Sequence, residues 1–123
     1  MQRWLQILIA GGALLFIVAT LYSLLSPLRV TPEEARRLIR EGAKVVDVRT
    51  DYERSTLGHY PEDVHIPAGA LKHSAGAQLN KNDHIVLYCN SGQRARKAAE
   101  TLQELGYPKV HYIAGSYTTL MEK

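Results

Sequence analysis

The distribution of charge along the chain sets the strongest limit on its fold. A run of 25 residues, from Trp4 to Leu28, contains no charged side chain. About 20 apolar residues in a helix suffice to cross the ~30 Å hydrocarbon core of a bilayer. The rest of the chain carries nearly all of the charge and is long enough for one compact domain. We therefore predict a transmembrane anchor over residues 1–28 and a single folded domain over residues 29–123.

The end of the uncharged run favours an uncleaved anchor over a cleaved signal peptide. Signal peptides have an apolar core of about 7–15 residues and a small-x-small cleavage site. This run is longer, and residues 21–27 contain no Ala-x-Ala sequence. We expect residues 4–26 to lie in a bacterial-type inner (cell) membrane as a single-pass helix. A membrane-protein partner for this helix is left open.

The basic residues on the two sides of this run favour a cytoplasmic domain. Arg3 precedes the run, whereas five lysine or arginine residues follow it between Arg29 and Lys44. By the positive-inside rule, the side with more lysine and arginine stays in the cytoplasm. The periplasmic side stays open, because four of those charges fall within a predicted helix and strand.

Composition excludes several classes of function. Cys89 is the only cysteine, so the chain can form neither an internal disulfide framework nor a zinc site built on cysteine pairs. The five histidines show no i, i+4 pair, and we predict neither a metal site nor a cofactor. The 15 basic residues are interspersed with 12 acidic ones rather than clustered, which argues against nucleic-acid binding.

Apolar spacing and turn residues predict alternating helices and strands after the uncharged run. Thr31 and Pro32 begin a helix that Gly42 ends, with Glu34 completing a capping box. The other predicted elements are strands at 44–48, 64–66, 84–88 and 110–113, a helical turn within 49–58, a helix at 94–105 and a short tail helix after residue 115. Residues 68–83 are expected to contain a helix, but their sequence does not indicate where it begins or ends. This alternation predicts parallel βαβ units in a small three-layer α/β domain with a central parallel sheet.

Cys89 follows a predicted strand and precedes a predicted helix, a position at which open α/β sheets bind ligands. The first N–H groups of a helix are unpaired and partly positive, so they stabilise an anion such as a thiolate. Arg94 adds a full positive charge there, and Gly92 allows the loop to direct its amides inward. A lone cysteine is often only a small buried apolar residue. The turn residues around Cys89 favour instead a reactive nucleophilic thiol.

The segment Cys89-Asn90-Ser91-Gly92-Gln93-Arg94 resembles the C-x-x-G-x-R active-site loop of the rhodanese family. The resemblance extends over residues 31–117, and the single-domain form is similar to small bacterial phage-shock-type rhodaneses. It implies a rhodanese-like α/β domain, here preceded by one transmembrane helix. Three other segments occur in the family's order, namely Asp47-Val48-Arg49, Gly58-His59-Tyr60-Pro61 with Val64-His65-Ile66-Pro67, and Leu105-Gly106-Tyr107.

The resemblance implies sulfurtransferase chemistry with Cys89 as the catalytic residue. Its thiolate would take the outer sulfur of thiosulfate or of a persulfide donor and pass it from a Cys89 persulfide to a thiol acceptor. Arg94 would hold the anionic part of the donor. Arg49 matches the family's Asp-x-Arg arginine and would position the substrate, or would alternatively brace the loop through an ion pair. The predicted substrate-binding residues are Asn90, Ser91, Gly92, Gln93, Arg94 and Arg49.

Three alternatives are weighed against a sulfurtransferase enzyme. Cysteine phosphatases and the related arsenate reductases use a C-x5-R loop, whereas the position that such a loop needs is here Ala95. A non-catalytic, membrane-tethered rhodanese module would present only a surface to a partner, but such modules commonly lose the cysteine. A sulfur relay to a neighbouring membrane system would use the same residues as the enzyme.

The sequence departs from the family at two places. Glu62-Asp63 stands where glycine and alanine are usual. Gly115-Ser116 stands where a glycine pair is usual, and no tryptophan-bearing terminal helix follows it. The second departure concerns the rim of the expected pocket and leaves the Cys89 loop intact.

Overall fold

The N-terminal segment forms a long helix in a computed structural model that describes residues 2–122, without the side chains of residues 19–25. This helix, α1, spans Gln2–Leu25. The side chains of residues 2–18 are all exposed, including the large apolar ones such as Trp4 and Phe16. The predicted helical conformation of the uncharged run is therefore present.

The membrane-spanning role of this segment is not supported. Among the residues whose side chains are described, no helix is long and apolar enough to cross a membrane. The transmembrane anchor over residues 1–28, the membrane contact of residues 4–26 and the single-pass inner-membrane localisation are corrected accordingly. Residues 19–25 of the predicted span lie outside the described side chains.

Four parallel strands form the central sheet in the order β2-β1-β3-β4. The two central strands pair with Val45 opposite Val86 and with Asp47 opposite Tyr88. Every residue of β3 is buried, which suits a short apolar strand covered on both faces. The strands are β1 (Lys44–Asp47), β2 (Val64–His65), β3 (Ile85–Tyr88) and β4 (Val110–Tyr112).

Helices cover both faces of this sheet, which confirms the predicted α/β fold. The covering helices are α2 (Pro32–Arg40) on one face and α4 (Leu71–Gln78) and α5 (Gln93–Glu104) on the other, whereas α3 (Asp51–Leu57) contributes no buried residue to either core. Alternate strand residues point to opposite faces. On one face Val46 and Leu87 share a core with the buried residues of α4 and α5, and on the other Val86 packs with α2. Leu120 of a terminal 3-10 turn, Tyr117–Leu120, joins that second core.

Three local features differ from the sequence prediction. The Thr31 hydroxyl caps α2 by accepting the Glu34 N–H at 3.1 Å, but the reciprocal capping box lies instead at Thr50 and Glu53 of α3. The helix predicted without bounds in residues 68–83 is a 3-10 turn, Ala68–Ala70, followed by α4. The sequence did not give its bounds, because the alanine- and glycine-rich sequence of α4 has little hydrophobic periodicity. The tail forms only a 3-10 turn, because four residues are too few to nucleate a stable α-helix.

Asp63, one of the two unexpected acids, is buried and forms hydrogen bonds with two other side chains. Its carboxylate is fully buried and accepts hydrogen bonds from both Nη atoms of Arg54 at 2.9 and 2.7 Å. The Tyr88 hydroxyl donates to it at 2.7 Å. Burial raises the pKa of Tyr88, so this hydroxyl stays protonated and remains a donor. Asp63 therefore ties α3 to the end of β3 and is compatible with the fold.

Glu62, the other unexpected acid, adopts a left-handed backbone conformation with φ of 61°. This conformation costs a residue with a Cβ roughly 1–2 kcal/mol relative to glycine. Glycine also raises the conformational entropy of the unfolded chain, which offsets about 0.4–1 kcal/mol of that gain.

Replacing Glu62 with glycine should therefore stabilise the protein by about 0.5–1 kcal/mol. Urea denaturation would measure the change as a higher midpoint at an unchanged m-value. Glu62→Ala is the matched control, because it removes the carboxylate but retains the Cβ and should show no such gain. Equal stabilities for the glycine and alanine variants would contradict the assignment of strain to this residue.

Candidate active site

Cys89 lies immediately after β3, and three residues separate it from the first residue of α5. Its residue surface is completely buried among apolar side chains that include Val48, Ile66 and Ala95. The Gly92 backbone N–H donates a hydrogen bond to its Sγ at 3.0 Å. The thiol thus sits at the carboxyl edge of the sheet with a polar donor directed at it, as well as within the core.

Gly92 is required by the shape of this loop. Its φ of 101° places it in the left-handed region, which favours glycine. A Cβ at this position would lie 2.8 Å from Ala114 Cα and 3.2 Å from Ala114 Cβ. The absence of a side chain therefore lets the loop pack against the residues that follow β4 while its N–H reaches Cys89 Sγ.

Arg94, at the start of α5, forms a two-pronged ion pair with Glu53 of α3. Arg94 Nη1 lies 2.6 Å from Glu53 Oε1, and Nη2 lies 2.7 Å from Oε2. The hydrogen bond from Arg94 lowers the pKa of Glu53 to about 2, and the bond from Glu53 raises the pKa of Arg94. Both groups are therefore charged at any working pH. The side chains are 42% and 21% exposed, so the pair lies at the surface of the loop.

Asn90 connects the loop to two charged side chains. Its Nδ2 donates to Glu53 Oε2 at 2.7 Å, and its Oδ1 accepts from Arg49 Nη1 at 3.3 Å. The other two predicted loop residues, Ser91 and Gln93, are exposed. The structure thus brings Asn90 and Arg94 together through Glu53 and leaves Ser91 and Gln93 on the outer surface.

Arg49 is buried and its guanidinium is occupied by protein groups. Nε and Nη2 donate to the two carboxylate oxygens of Asp47 at 2.9 and 3.1 Å, and Nη2 also donates to the Gly58 carbonyl at 2.6 Å. Burial alone would raise the pKa of Asp47, but hydrogen bonds from Arg49 outweigh it, and the net pKa is lowered. These contacts favour the bracing role over substrate positioning. Direct contact of Arg49 with a substrate stays a prediction.

The two histidines near this brace lie beside backbone carbonyls. A ring nitrogen of His65 lies 2.8 Å from the Arg49 carbonyl oxygen, and one of His59 lies 2.9 Å from the Tyr60 carbonyl oxygen. Within the described residues, no group of three or more histidine, cysteine or carboxylate side chains could hold a metal ion. The structure places the Cys89 thiol beside one backbone donor, the Gly92 N–H.

Sequence reasoning missed Glu53. It lies in the stretch between β1 and β2, 41 residues before Arg94. The pattern Thr50-x-x-Glu53 is a capping-box sequence and could have placed Glu53 at the start of a helix. Nothing in the local sequence could have indicated its contact with the loop, because that contact depends on the packing of α3 against the carboxyl edge of the sheet.

Known proteins are similar to this chain in both sequence and fold. Residues 31–123 match the family model of the rhodanese-like domain. The human thiosulfate:glutathione sulfurtransferase is 29% identical over 108 residues, which cover 76% of this chain and 93% of that protein. The thiosulfate sulfurtransferase GlpE of Pseudomonas savastanoi is 32% identical over 90 residues, which cover 72% of this chain and 82% of that protein.

Other relatives are longer proteins. The match covers only 37% of YrkF of Bacillus subtilis, at 40% identity over 70 residues, and 58% of the senescence-associated protein DIN1 of Raphanus sativus, at 32% identity over 107 residues. Among solved structures, the human single-domain sulfurtransferase TSTD1 superposes with a TM-score of 0.66 at 27% identity, covering 80% of this chain and 98% of that one. Because the family match spans most of the chain and includes the whole Cys89 loop, the chain belongs to the rhodanese-like domain family.

Proposed function

We propose that this protein is a sulfurtransferase that carries sulfane sulfur as a persulfide on Cys89. The observation that carries the proposal is the 3.0 Å hydrogen bond from the Gly92 N–H to Cys89 Sγ in a loop that leads into α5. A backbone donor at a helix N-terminus stabilises negative charge on sulfur. Relatives named as thiosulfate sulfurtransferases support the same general chemistry.

The reaction has two displacement steps at sulfur. The Cys89 thiolate attacks the outer sulfur of thiosulfate, a new S–S bond forms, and the old S–S bond breaks with its electron pair leaving on sulfite. The product is a Cys89 persulfide anion. A thiolate acceptor then attacks the outer sulfur of this persulfide, which returns the Cys89 thiolate and yields the persulfide of the acceptor. A persulfide donor would enter by the same first step, with a thiolate leaving.

The loop supplies the electrostatic part of this chemistry. The attacking group, the persulfide and the leaving group all carry negative charge on or next to sulfur. Preorganised backbone N–H donors stabilise such charge without reorganising during the reaction. We propose that the amides of residues 90–94 receive the outer sulfur and that Arg94 lies at the donor's anionic end. No titratable base is needed, because the nucleophile reacts as the thiolate.

A non-catalytic interaction module is the second candidate, favoured by the complete burial of Cys89 in the apolar core. In such a module the cysteine would serve packing alone and would not carry sulfur. A phosphatase or arsenate reductase is a poorer match, because Arg94 follows Cys89 after four residues and Ala95 occupies the position a five-residue spacing needs.

Incubating the full-length protein with thiosulfate should add about 32 Da, one sulfur atom, to the intact mass. The adduct should disappear on addition of dithiothreitol or cyanide, since each accepts the outer sulfur. Cys89→Ser should show neither the adduct nor transfer of sulfur to cyanide. Mass spectrometry of the intact chain checks the first expectation, and thiocyanate formation checks the second.

The outcome separates the two candidate functions. An unmodified mass with both thiosulfate and a persulfide donor, in folded protein, would favour the interaction module. Full thiocyanate formation by Cys89→Ser would contradict the role of this residue.

Gly92→Ala should slow persulfide formation by about 10²-fold, the cost of removing one donor hydrogen bond from an anionic site. The new methyl group would meet Ala114 and displace the loop amide from Sγ. Gly42→Ala is a matched control, since Gly42 has a similar φ of 105° but open space around the new Cβ. In both variants the left-handed backbone conformation should lower the free energy of unfolding by roughly 1–2 kcal/mol. Only the Gly92 variant should lose sulfur transfer.

Stopped-time intact-mass measurements on the two variants give the comparison. Equal rates of persulfide formation in Gly92→Ala and Gly42→Ala would contradict the proposed use of the Gly92 amide.

A further inference from the structure

The charges around the Cys89 loop cancel among the described residues. Three arginines lie there, and each is paired with a carboxylate at hydrogen-bond distance. The carboxylates are equally three in number, so the cluster has no net charge. The pairs are Arg49 with Asp47, Arg54 with Asp47 and Asp63, and Arg94 with Glu53. The three arginines therefore give this cluster no net positive charge, and the charge of Arg94, the arginine of the loop, is offset by that of Glu53.

Glu53 is the acid of this cluster that lies against the loop itself. Both of its oxygens are engaged by Arg94, at 2.6 and 2.7 Å, and one of them also accepts from Asn90 at 2.7 Å. Asp47 and Asp63 are fully buried, whereas the Glu53 side chain is 21% exposed and its partner Arg94 is 42% exposed. Of these three carboxylates, Glu53 is thus the one that an incoming donor can approach.

The position of Glu53 is fixed before any donor arrives. Thr50 donates to Glu53 Oε1 from its backbone N–H at 3.3 Å and from its hydroxyl at 3.0 Å, and the Thr50 hydroxyl caps the Glu53 N–H. A carboxylate held by a capping box, an arginine and an asparagine does not move aside freely. A donor that uses Arg94 must share it with Glu53.

We propose that Glu53 is a specificity-determining residue that makes the site favour sulfane donors carrying one negative charge or none over the dianion thiosulfate. The inference rests on the proposed sulfur transfer and deepens it by assigning the donor class, an organic group that carries the sulfane sulfur. The physical reason is that repulsion by a fixed carboxylate scales with the donor's charge. A dianion therefore loses about twice as much binding free energy to Glu53 as a monoanion.

A thiosulfonate provides the matched probe. Methanethiosulfonate carries one negative charge and has the same sulfane–sulfonyl bond as thiosulfate. The Cys89 thiolate attacks its outer sulfur, the S–S bond breaks, and methanesulfinate leaves with the electron pair. The persulfide product on Cys89 is identical with either donor, so the two reactions differ in donor charge and in the methyl group that replaces an oxygen.

Glu53→Gln in the full-length chain should raise kcat/KM for thiosulfate relative to methanethiosulfonate by about tenfold, which corresponds to 1.4 kcal/mol. The gain should shrink as ionic strength rises, because salt screens charges at an exposed site. Glutamine retains an oxygen that accepts from Asn90. Glu53→Asp keeps the negative charge but shortens the side chain by one methylene group. Its ratio of kcat/KM values for the two donors should therefore equal that of the unaltered chain, even if the loop loosens.

Glu100→Gln is the matched control for a lost charge on the same protein. Glu100 pairs with Arg96 on α5 at 2.9 Å, away from the Cys89 loop contacts, and its removal should leave the donor ratio unchanged. An unchanged ratio in Glu53→Gln, or an equal shift in Glu53→Asp, would overturn the inference while leaving sulfur transfer intact. Absence of the Cys89 persulfide with both donors in the unaltered chain would overturn the sulfurtransferase proposal, and the inference with it.

Discussion

The parallel pairing of β1 with β3 determines where the functional groups of this domain lie. Asp47 stands opposite Tyr88 at the last pair of this ladder, so the chain leaves both strands at the same edge of the sheet. Cys89 follows one strand end, and Arg49 follows the other within two residues. A slip of β1 by one residue would turn Val46 out of its core and separate Arg49 from Asn90. The two-sided apolar burial of the strands therefore fixes the register on which the site depends.

Ion pairs and hydrogen bonds between charged side chains hold the loop after β3 in place. Arg49 joins three separate segments through Asp47, the Gly58 carbonyl and Asn90. Removing one partner from such a buried pair commonly costs 3–5 kcal/mol, because the other charge is left uncompensated. The groups that hold the loop also neutralise its charge, so structural support and the proposed donor selectivity depend on the same side chains.

The sequence predicted what depends on local pattern and missed what depends on packing between distant segments. The strand, turn and helix around Cys89 followed from apolar spacing and from Gly92, and the parallel sheet followed from the alternation of elements. The contact of Glu53 with Arg94 joins residues 41 positions apart, and no local pattern contains it. The anchor prediction is not supported, because among the residues whose side chains are described no helix is long and apolar enough to cross a membrane. Asp63 looked anomalous only because its partners, Arg54 and Tyr88, lie in other elements.

The complete burial of Cys89 Sγ has a kinetic consequence. A reagent that must touch this sulfur can react only in the fraction of molecules whose loop has opened. The observed rate constant is then the intrinsic rate constant multiplied by that fraction. Local openings of this kind draw on the least stable contacts of a fold. Sulfur donors, alkylating agents and peroxides would all depend on the same opening of the loop. Burial of the thiol would therefore slow its oxidation and the proposed sulfur transfer alike.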